Sequence, residues 1–259
     1  MNNAKTVLVT GASSGIGKAL AQEFASHGRD LVLVARREDR LNEVAGKLEA
    51  KHGIRVHTFA ADLLEAGAPQ GILDFLDGEG ISVDILVNNA GMGDAGSFAD
   101  MEWGRVRSIL NLNIGATTQM TYLFLRRMRE SDHGTIANIA STLAFAPTAG
   151  QNVYAASKAY VLAFTQALYE ETKHTGVRVL TICPGVTKTE FFENAGYSLG
   201  QFSAASPEDF AAYAYKRIMS KKPLSIHRSS NRMVALFARL APRGLARRAF
   251  AAFCKTDKL

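Results

Sequence analysis

A tyrosine and a lysine stand four residues apart in Asn152-Val-Tyr-Ala-Ala-Ser-Lys158, with Ser141 thirteen residues before the tyrosine. Residues at i and i+4 share one helix face, so the Lys158 ammonium can lie beside the Tyr154 phenol. With a reference pKa of about 10, only roughly 0.1% of a phenol is ionised near neutrality, so a neighbouring cation must stabilise the phenolate by a few kcal/mol. A second cluster lies near the start of the chain, where Val7-Leu-Val runs into Thr10-Gly-Ala-Ser-Ser-Gly-Ile-Gly17 ahead of a helical pattern. Glycine permits a tight turn and close backbone approach, and a helix N-terminus offers unpaired N–H groups with partial positive charge. Gly11, Ser13, Ser14, Gly15, Ile16 and Gly17 are therefore candidates to hold a pyrophosphate. The two clusters together point to nicotinamide-dependent carbonyl chemistry.

Nineteen residues past Gly17, where a ribose-reading acid is expected, stand Arg36 and Arg37. An aspartate there would repel a 2′-phosphate, whereas a guanidinium pairs with it. Charge-assisted bonds of roughly 1.5–3 kcal/mol favour the phosphorylated coenzyme by about 10- to 100-fold. NADP(H) is thus expected over NAD(H), with Arg36 the stronger candidate and Arg37 flanking the adenosine.

These residues need a scaffold, and the hydrophobic pattern supplies one. Thr6–Thr10, Leu31–Ala35, Arg55–Ala60, Val83–Asn88, Thr135–Ile139 and Val177–Ile182 read as strands that are mostly apolar on successive residues, as strands covered on both faces are. Helical patterns fall near 15–27, 37–52, 68–79, 101–130, 151–174 and 207–220. The alternation predicts an α/β fold, a Rossmann-like doubly wound parallel sheet with ligands beyond the carboxyl ends of its strands. A single domain is expected over 1–259, with no linker, repeat or low-complexity run. The stretch Thr187–Ser206 has no clear period and mixes Gly196 and Gly200 with Phe191, Phe192, Tyr197 and Phe202, which suits a lid. No apolar stretch approaches the roughly 20 residues of a membrane span. The N-terminus lacks a cationic segment followed by a long apolar one, so a cytoplasmic protein is expected. Cys183, Cys254 and the six histidines form neither a disulfide framework nor metal-ligand spacing, and no metal is expected.

The chain is identified as resembling the compact, single-domain short-chain dehydrogenases/reductases. The resemblance covers roughly residues 5–225 and rests on Thr10-Gly-Ala-Ser-Ser-Gly-Ile-Gly17, Asn88-Asn-Ala-Gly91, Asn113, Ser141, Tyr154-x-x-x-Lys158 and Pro184-Gly185. It implies that Ser141 hydrogen-bonds a substrate carbonyl and that Tyr154 protonates it as hydride arrives. Lys158 would lower the Tyr154 pKa and bind the nicotinamide ribose, and Asn113 would be the water-holding member of the set. It further implies adenine contact at Asp62 and Leu63, and that Asn88, Ala90 and Gly91 line the adenosine and stabilise the sheet. Pro184, Gly185 and Thr189 would adjoin the nicotinamide. Met92, Leu143, Phe145, Pro147 and Val153 give the presumed hydride site an apolar neighbourhood, so a hydrophobic ketone, steroid-like ring or acyl substrate is expected.

The net charge of +6 is unevenly placed. Residues 216–259 carry twelve Lys/Arg against Asp257 alone, and the rest carries eighteen against twenty-three acids, a net −5. Met233, Leu236, Phe237 and Leu240 recur at helical spacing, and Pro242 with Gly244 separates them from a second pattern at Leu245, Ala249 and Phe253. Exposing these residues together would leave an apolar patch, so this extension, about 226–259, is expected to pack on the body or on a neighbouring subunit of a homo-oligomer. A peripheral membrane contact is the alternative. No nucleic-acid module accompanies the charge. A cofactor-binding regulatory or scaffold protein on this fold, and a membrane-surface reductase of lipid-derived carbonyls, are the competing functions.

Overall fold

The computed structural model describes residues 5–191, 195, 204–220 and 222–253. Seven parallel strands form one sheet in the order β3-β2-β1-β4-β5-β6-β7. They are β1 (Val7–Thr10), β2 (Leu31–Ala35), β3 (Val56–Ala60), β4 (Ile85–Asn88), β5 (Gly134–Ile139), β6 (Val177–Cys183) and β7 (Leu224–Ile226). The first six match the expected strands to within a few residues. β7 was not foreseen, because Pro223-Leu-Ser-Ile226 is too short and mixed to show a period.

Successive side chains of a strand point to opposite faces, and here both faces are covered. Val7, Val9, Leu31 and Leu33 pack with Leu20 and Phe24 of α1 (Gly15–Ser26), Leu41 of α2 (Glu38–His52) and Phe210 of α7 (Pro207–Ile218). Leu8, Val32, Val34 and Leu86 pack with Ile72 and Leu76 of α3 (Ala68–Gly78) and Phe124 of α5 (Thr117–Glu130) on the other side. Each such fully buried side chain contributes about 1.5–3 kcal/mol, which is why these strands read as continuous apolar runs.

The expected helix at 101–130 is continuous but not uniform. α4 (Trp103–Leu110) passes through a π turn at Asn111–Ala116 before α5 begins. A π turn inserts an extra residue and re-aims the side chains around it, commonly at functional sites. Asn113 lies within it. α6 (Asn152–Thr172) carries the Tyr/Lys pair. Beyond β7, α8 (Ser229–Leu240) and α9 (Arg243–Phe253) form the extension. Of the proposed lid, Phe192, Gly196, Tyr197, Gly200 and Phe202 lie outside the described residues. Among the described residues, no helix is long and apolar enough to cross a membrane.

Candidate active site

The glycine-rich turn joins β1 to α1 beyond the carboxyl end of the sheet. Gly11 N–H bonds the Val34 carbonyl at 2.8 Å, and the first helical bond runs from Lys18 N–H to Ser14 O. The amides of Gly15, Ile16 and Gly17 therefore belong to the first turn, where an anion is stabilised. Gly17 cannot be anything larger: a Cβ there would lie 2.1 Å from the Gly11 carbonyl oxygen. The Ile16 side chain packs on the core below, so its part in the turn is its backbone.

Thr10 clamps this turn to the Asn88–Gly91 segment. Its Oγ1 accepts from Asn89 N–H and Ala90 N–H at 3.0 Å each, while Asn89 Nδ2 donates to Thr10 O at 2.9 Å. Thr10 and Asn89 sit in the expected motifs, yet neither was singled out as a site residue. Asn88 is bonded into the sheet. Its buried amide donates to Asn138 Oδ1 at 2.8 Å and Thr121 Oγ1 at 3.1 Å, and Asn138 donates to Thr165 Oγ1 at 2.9 Å. That network ties β4 to β5, α5 and α6, so the Asn88 side chain holds the strands together beneath the cleft.

The arginines at the end of β2 diverge. Arg37 turns toward the phosphate-binding turn, donating to Ser14 Oγ at 2.9 Å and Ser13 Oγ at 3.2 Å. Arg36, expected to be the stronger anion reader, instead points toward Asp62, 3.8 Å away. Consecutive residues at a strand end face opposite ways, so only one of the pair lies against Ser13 and Ser14. Asp62 also accepts from Leu64 N–H at 3.0 Å, and Leu63 packs on the core. Arg40, one helical turn past Arg37, joins the group: Glu190 accepts from Arg40 at 2.9 Å and from Arg37 at 3.2 Å. Partial burial pulls the Glu190 carboxyl upward, but the two arginines prevail and hold it below its ordinary value. The i, i+3 spacing of Arg37 and Arg40 was the available sign of this cluster. Ser13, Ser14, Lys18 and Arg40 line a cavity of about 280 Å³ with Glu190. Its donors fit a phosphate.

Around the Tyr/Lys pair, β5 leads into Ser141, whose Oγ caps the short turn Thr142–Phe145 by accepting from Leu143 N–H at 3.1 Å. That cap fixes the hydroxyl beside Tyr154, where it acts to lower the phenol's pKa. Lys158 is only 5% exposed; its Nζ donates to the Ile139 carbonyl at 2.9 Å and lies 5.9 Å from the Tyr154 ring centre. The spacing predicts that Lys158 lowers the Tyr154 pKa. Instead, burial pushes the phenol up to about 12, offset in part by the Ser141 hydroxyl, and burial pulls Lys158 down to about 8. Desolvation outweighs attraction because the ammonium is engaged by Ile139 and faces the ring. Tyr154 is consequently held as a phenol, a proton donor. Cys183 lies behind this site, buried, with its thiol pushed up to about 12, which leaves it unreactive.

Asn113 is held at both ends of its amide. Its Oδ1 accepts from Met92 N–H, and its Nδ2 donates to Met92 O and Ser157 Oγ, each at 2.9 Å. Ser157 in turn donates to the Tyr154 carbonyl at 2.7 Å. With both amide hydrogens committed to protein acceptors, the side chain braces the Tyr154 helix against the Gly91–Met92 loop. We expect Asn113→Ala to lose roughly 2–5 kcal/mol of stability, since it orphans several buried groups at about 1–3 kcal/mol each. Urea unfolding checks this, and a wild-type midpoint would refute the brace.

The remaining site residues frame the cleft. Gly91 packs beside Asn113 and Lys158, each 3.2 Å from where a Cβ would sit, and Thr189 packs on Gly15. Pro184 accepts from Thr142 N–H at 3.0 Å, and Gly185 lies against Asn231 of α8. Phe191 stacks obliquely 5.2 Å from Tyr154 and crowds Gly93. Phe145, expected in the cleft, packs instead on a small core that includes Leu224 and Ile226, the unforeseen β7.

This geometry has close relatives. The short chain dehydrogenase family profile matches residues 5–199. Sulfoacetaldehyde reductase 2 of Chromohalobacter salexigens is 39% identical over 187 residues, 71% of this chain and 73% of that protein. A short-chain dehydrogenase from Sphingobium yanoikuyae, solved in complex with NADPH, superposes with a TM-score of 0.83 at 32% identity, covering 98% of this chain and 100% of that one. The bulky-bulky ketone specific alcohol dehydrogenase from Comamonas testosteroni superposes at 0.80 with 29% identity, covering 94% of each chain.

Proposed function

Because this chain belongs to the short-chain dehydrogenase family of nicotinamide-dependent oxidoreductases, we propose that it uses NADP(H) to interconvert a hydrophobic carbonyl compound and its secondary alcohol. The observation that carries the chemistry is Tyr154 set beside Ser141, with the buried Lys158 Nζ 5.9 Å from its ring centre. When bound, the coenzyme supplies or takes up hydride; the protein's own residues bind, align and move the proton. The Gly15–Gly17 amides and the Arg37–Ser13–Ser14 group would hold its phosphates. In reduction, Ser141 and Tyr154 donate hydrogen bonds to the carbonyl oxygen, so its developing charge meets two preplaced donors. Tyr154 then gives up its proton to the alkoxide, and the Lys158 ammonium stabilises the phenolate left behind. In oxidation the proton returns to Tyr154 along the same bond.

The hydrophobic substrate class is supported by Met92, Gly93 and Phe191 around Tyr154 and by the likeness to the enzyme of bulky ketones. A small anionic aldehyde, the substrate class in the name of the Chromohalobacter relative, would favour a cation in the cleft. Arg105 approaches the same loop, but it bonds Gly93 O at 2.6 Å and pairs with Asp94 at 3.5 Å.

Coenzyme choice gives the direct test. Arg37 and Arg40 supply charge-assisted contacts, so NADPH should bind at least ~10-fold more tightly than NADH, and Arg37→Asp should narrow or reverse the preference. Fluorescence titration of both coenzymes, followed by a panel of ketones and secondary alcohols read by NADPH absorbance, checks the reading. Equal dissociation constants would contradict the coenzyme assignment, and absence of turnover across the panel would favour a scaffold protein.

A further inference from the structure

The extension does not hide its apolar face. α8 turns Asn231, Ala235 and Ala238 toward the body, where Asn231 sits against Gly185 and its Nδ2 donates to the His227 carbonyl at 2.7 Å. Its larger side chains point the other way: Met233 is 71% and Leu240 72% exposed, with Leu236 and Phe237 also exposed between them. α9 repeats the arrangement, burying Ala246 and Phe250 while Leu245 stands out. Met233, Leu236, Phe237, Leu240 and Leu245 thus do not pack on the body of their own chain, the first of the two expected partners. Small residues satisfy the close approach to the sheet, and the bulky ones are left outside.

Arginine accompanies the apolar surface. Arg232, Arg239, Arg243, Arg247 and Arg248 belong to these two helices, and residues 222–253 contain no Asp or Glu. We propose that the α8–α9 hairpin is a docking surface for an anionic lipid membrane, on which the outward apolar residues enter the headgroup boundary and the arginines meet lipid phosphates. Charge decides between this occupant and a second copy. A two-fold contact through the hairpin would oppose Arg239, Arg243 and Arg248 to their own copies with no carboxylate from either hairpin to relieve them. An anionic surface meets both features at once.

The placement also serves the cleft. α8 runs beside Thr142–Phe145, the turn that Ser141 caps. A hairpin lying on a bilayer therefore brings the active-site region to the lipid surface, where a hydrophobic carbonyl partitions. Binding to lipid is independent of the oxidoreductase reading, and its test needs no substrate.

The experiment is sedimentation of the full-length protein with phosphatidylglycerol-containing vesicles and with pure phosphatidylcholine vesicles. The wild type should cosediment with the anionic vesicles and release at high salt. Replacing Leu236, Phe237 and Leu240 together by Gln should weaken partitioning at least about tenfold. Each of Arg239→Gln, Arg243→Gln and Arg248→Gln should weaken it about fivefold. NADPH titration and melting of each variant establish that it is folded. Wild-type protein that ignores anionic vesicles overturns the proposal, as does a folded triple variant that binds them unchanged. Absence of vesicle binding, with a triple variant of smaller oligomeric size, would assign the face to a second copy.

Discussion

Replacing Tyr154 by Phe should lower kcat by roughly 10²–10⁴-fold, the usual contribution of a positioned general acid. The change removes one oxygen. It leaves the ring beside Phe191, the helix that carries it and the coenzyme contacts of the glycine-rich turn. NADPH affinity should thus stay at the wild-type value, so the loss appears in kcat and not in coenzyme binding. Steady-state kinetics on a turned-over carbonyl, paired with coenzyme titration, separates the two quantities. A Tyr154→Phe protein that keeps half of its kcat would falsify the proton-transfer role.

Lys158→Ala should damage both quantities. The ammonium is the buried cation nearest Tyr154, and it is proposed to bind the nicotinamide ribose. Loss of its charge-assisted bonds, at roughly 1.5–3 kcal/mol, should weaken NADPH about 10- to 150-fold, with a further fall in kcat. The same residue should set the alkaline limb of carbonyl reduction. Burial holds Lys158 at about 8, far below Tyr154, so the amine is the first of the pair to lose its proton as pH rises. Below that value the cation is present; above it the phenolate formed in reduction loses its partner. The rate should therefore fall through a single ionisation near pH 8. If Lys158→Ala retained this limb in its residual activity, another group would be responsible.

The buried centre of the fold was legible because its strands are apolar on both faces and lie between helices of matching period. β7 was not, since Leu224–Ile226 holds a serine between two aliphatics and is too short to establish a period. The π turn was also hidden: Asn111-Leu-Asn-Ile-Gly-Ala116 has the composition of an ordinary helix segment, and its widening depends on Asn113 meeting Met92 and Ser157. At the site, residue types and spacing identified Ser141, Tyr154 and Lys158 as a set, but not the balance between burial and charge that fixes their pKa values. That balance depends on Ile139 O and on burial, neither of which has a local signature. Arg36 and Arg37 show a related limit, because sequence proximity does not say which of two adjacent side chains turns toward Ser13 and Ser14. In the extension, periodicity located both helices; only the close approach of Asn231 to Gly185 showed which face of α8 turns inward.

β1 lies between β2 and β4, with Thr10 waiting to receive the amides of Asn89 and Ala90. During synthesis, β2 and β3 leave the ribosome first, while the strand that closes the other edge of β1 is encoded from Ile85. At about 5–20 residues per second, roughly 4–16 s separate the emergence of β1 from that of β4. For that interval an aliphatic strand has one unpaired edge, the kind that neighbouring nascent chains can join. Production of this protein is therefore most exposed to aggregation while fewer than half of its residues have emerged, and slower translation between β1 and β4 lengthens the exposure.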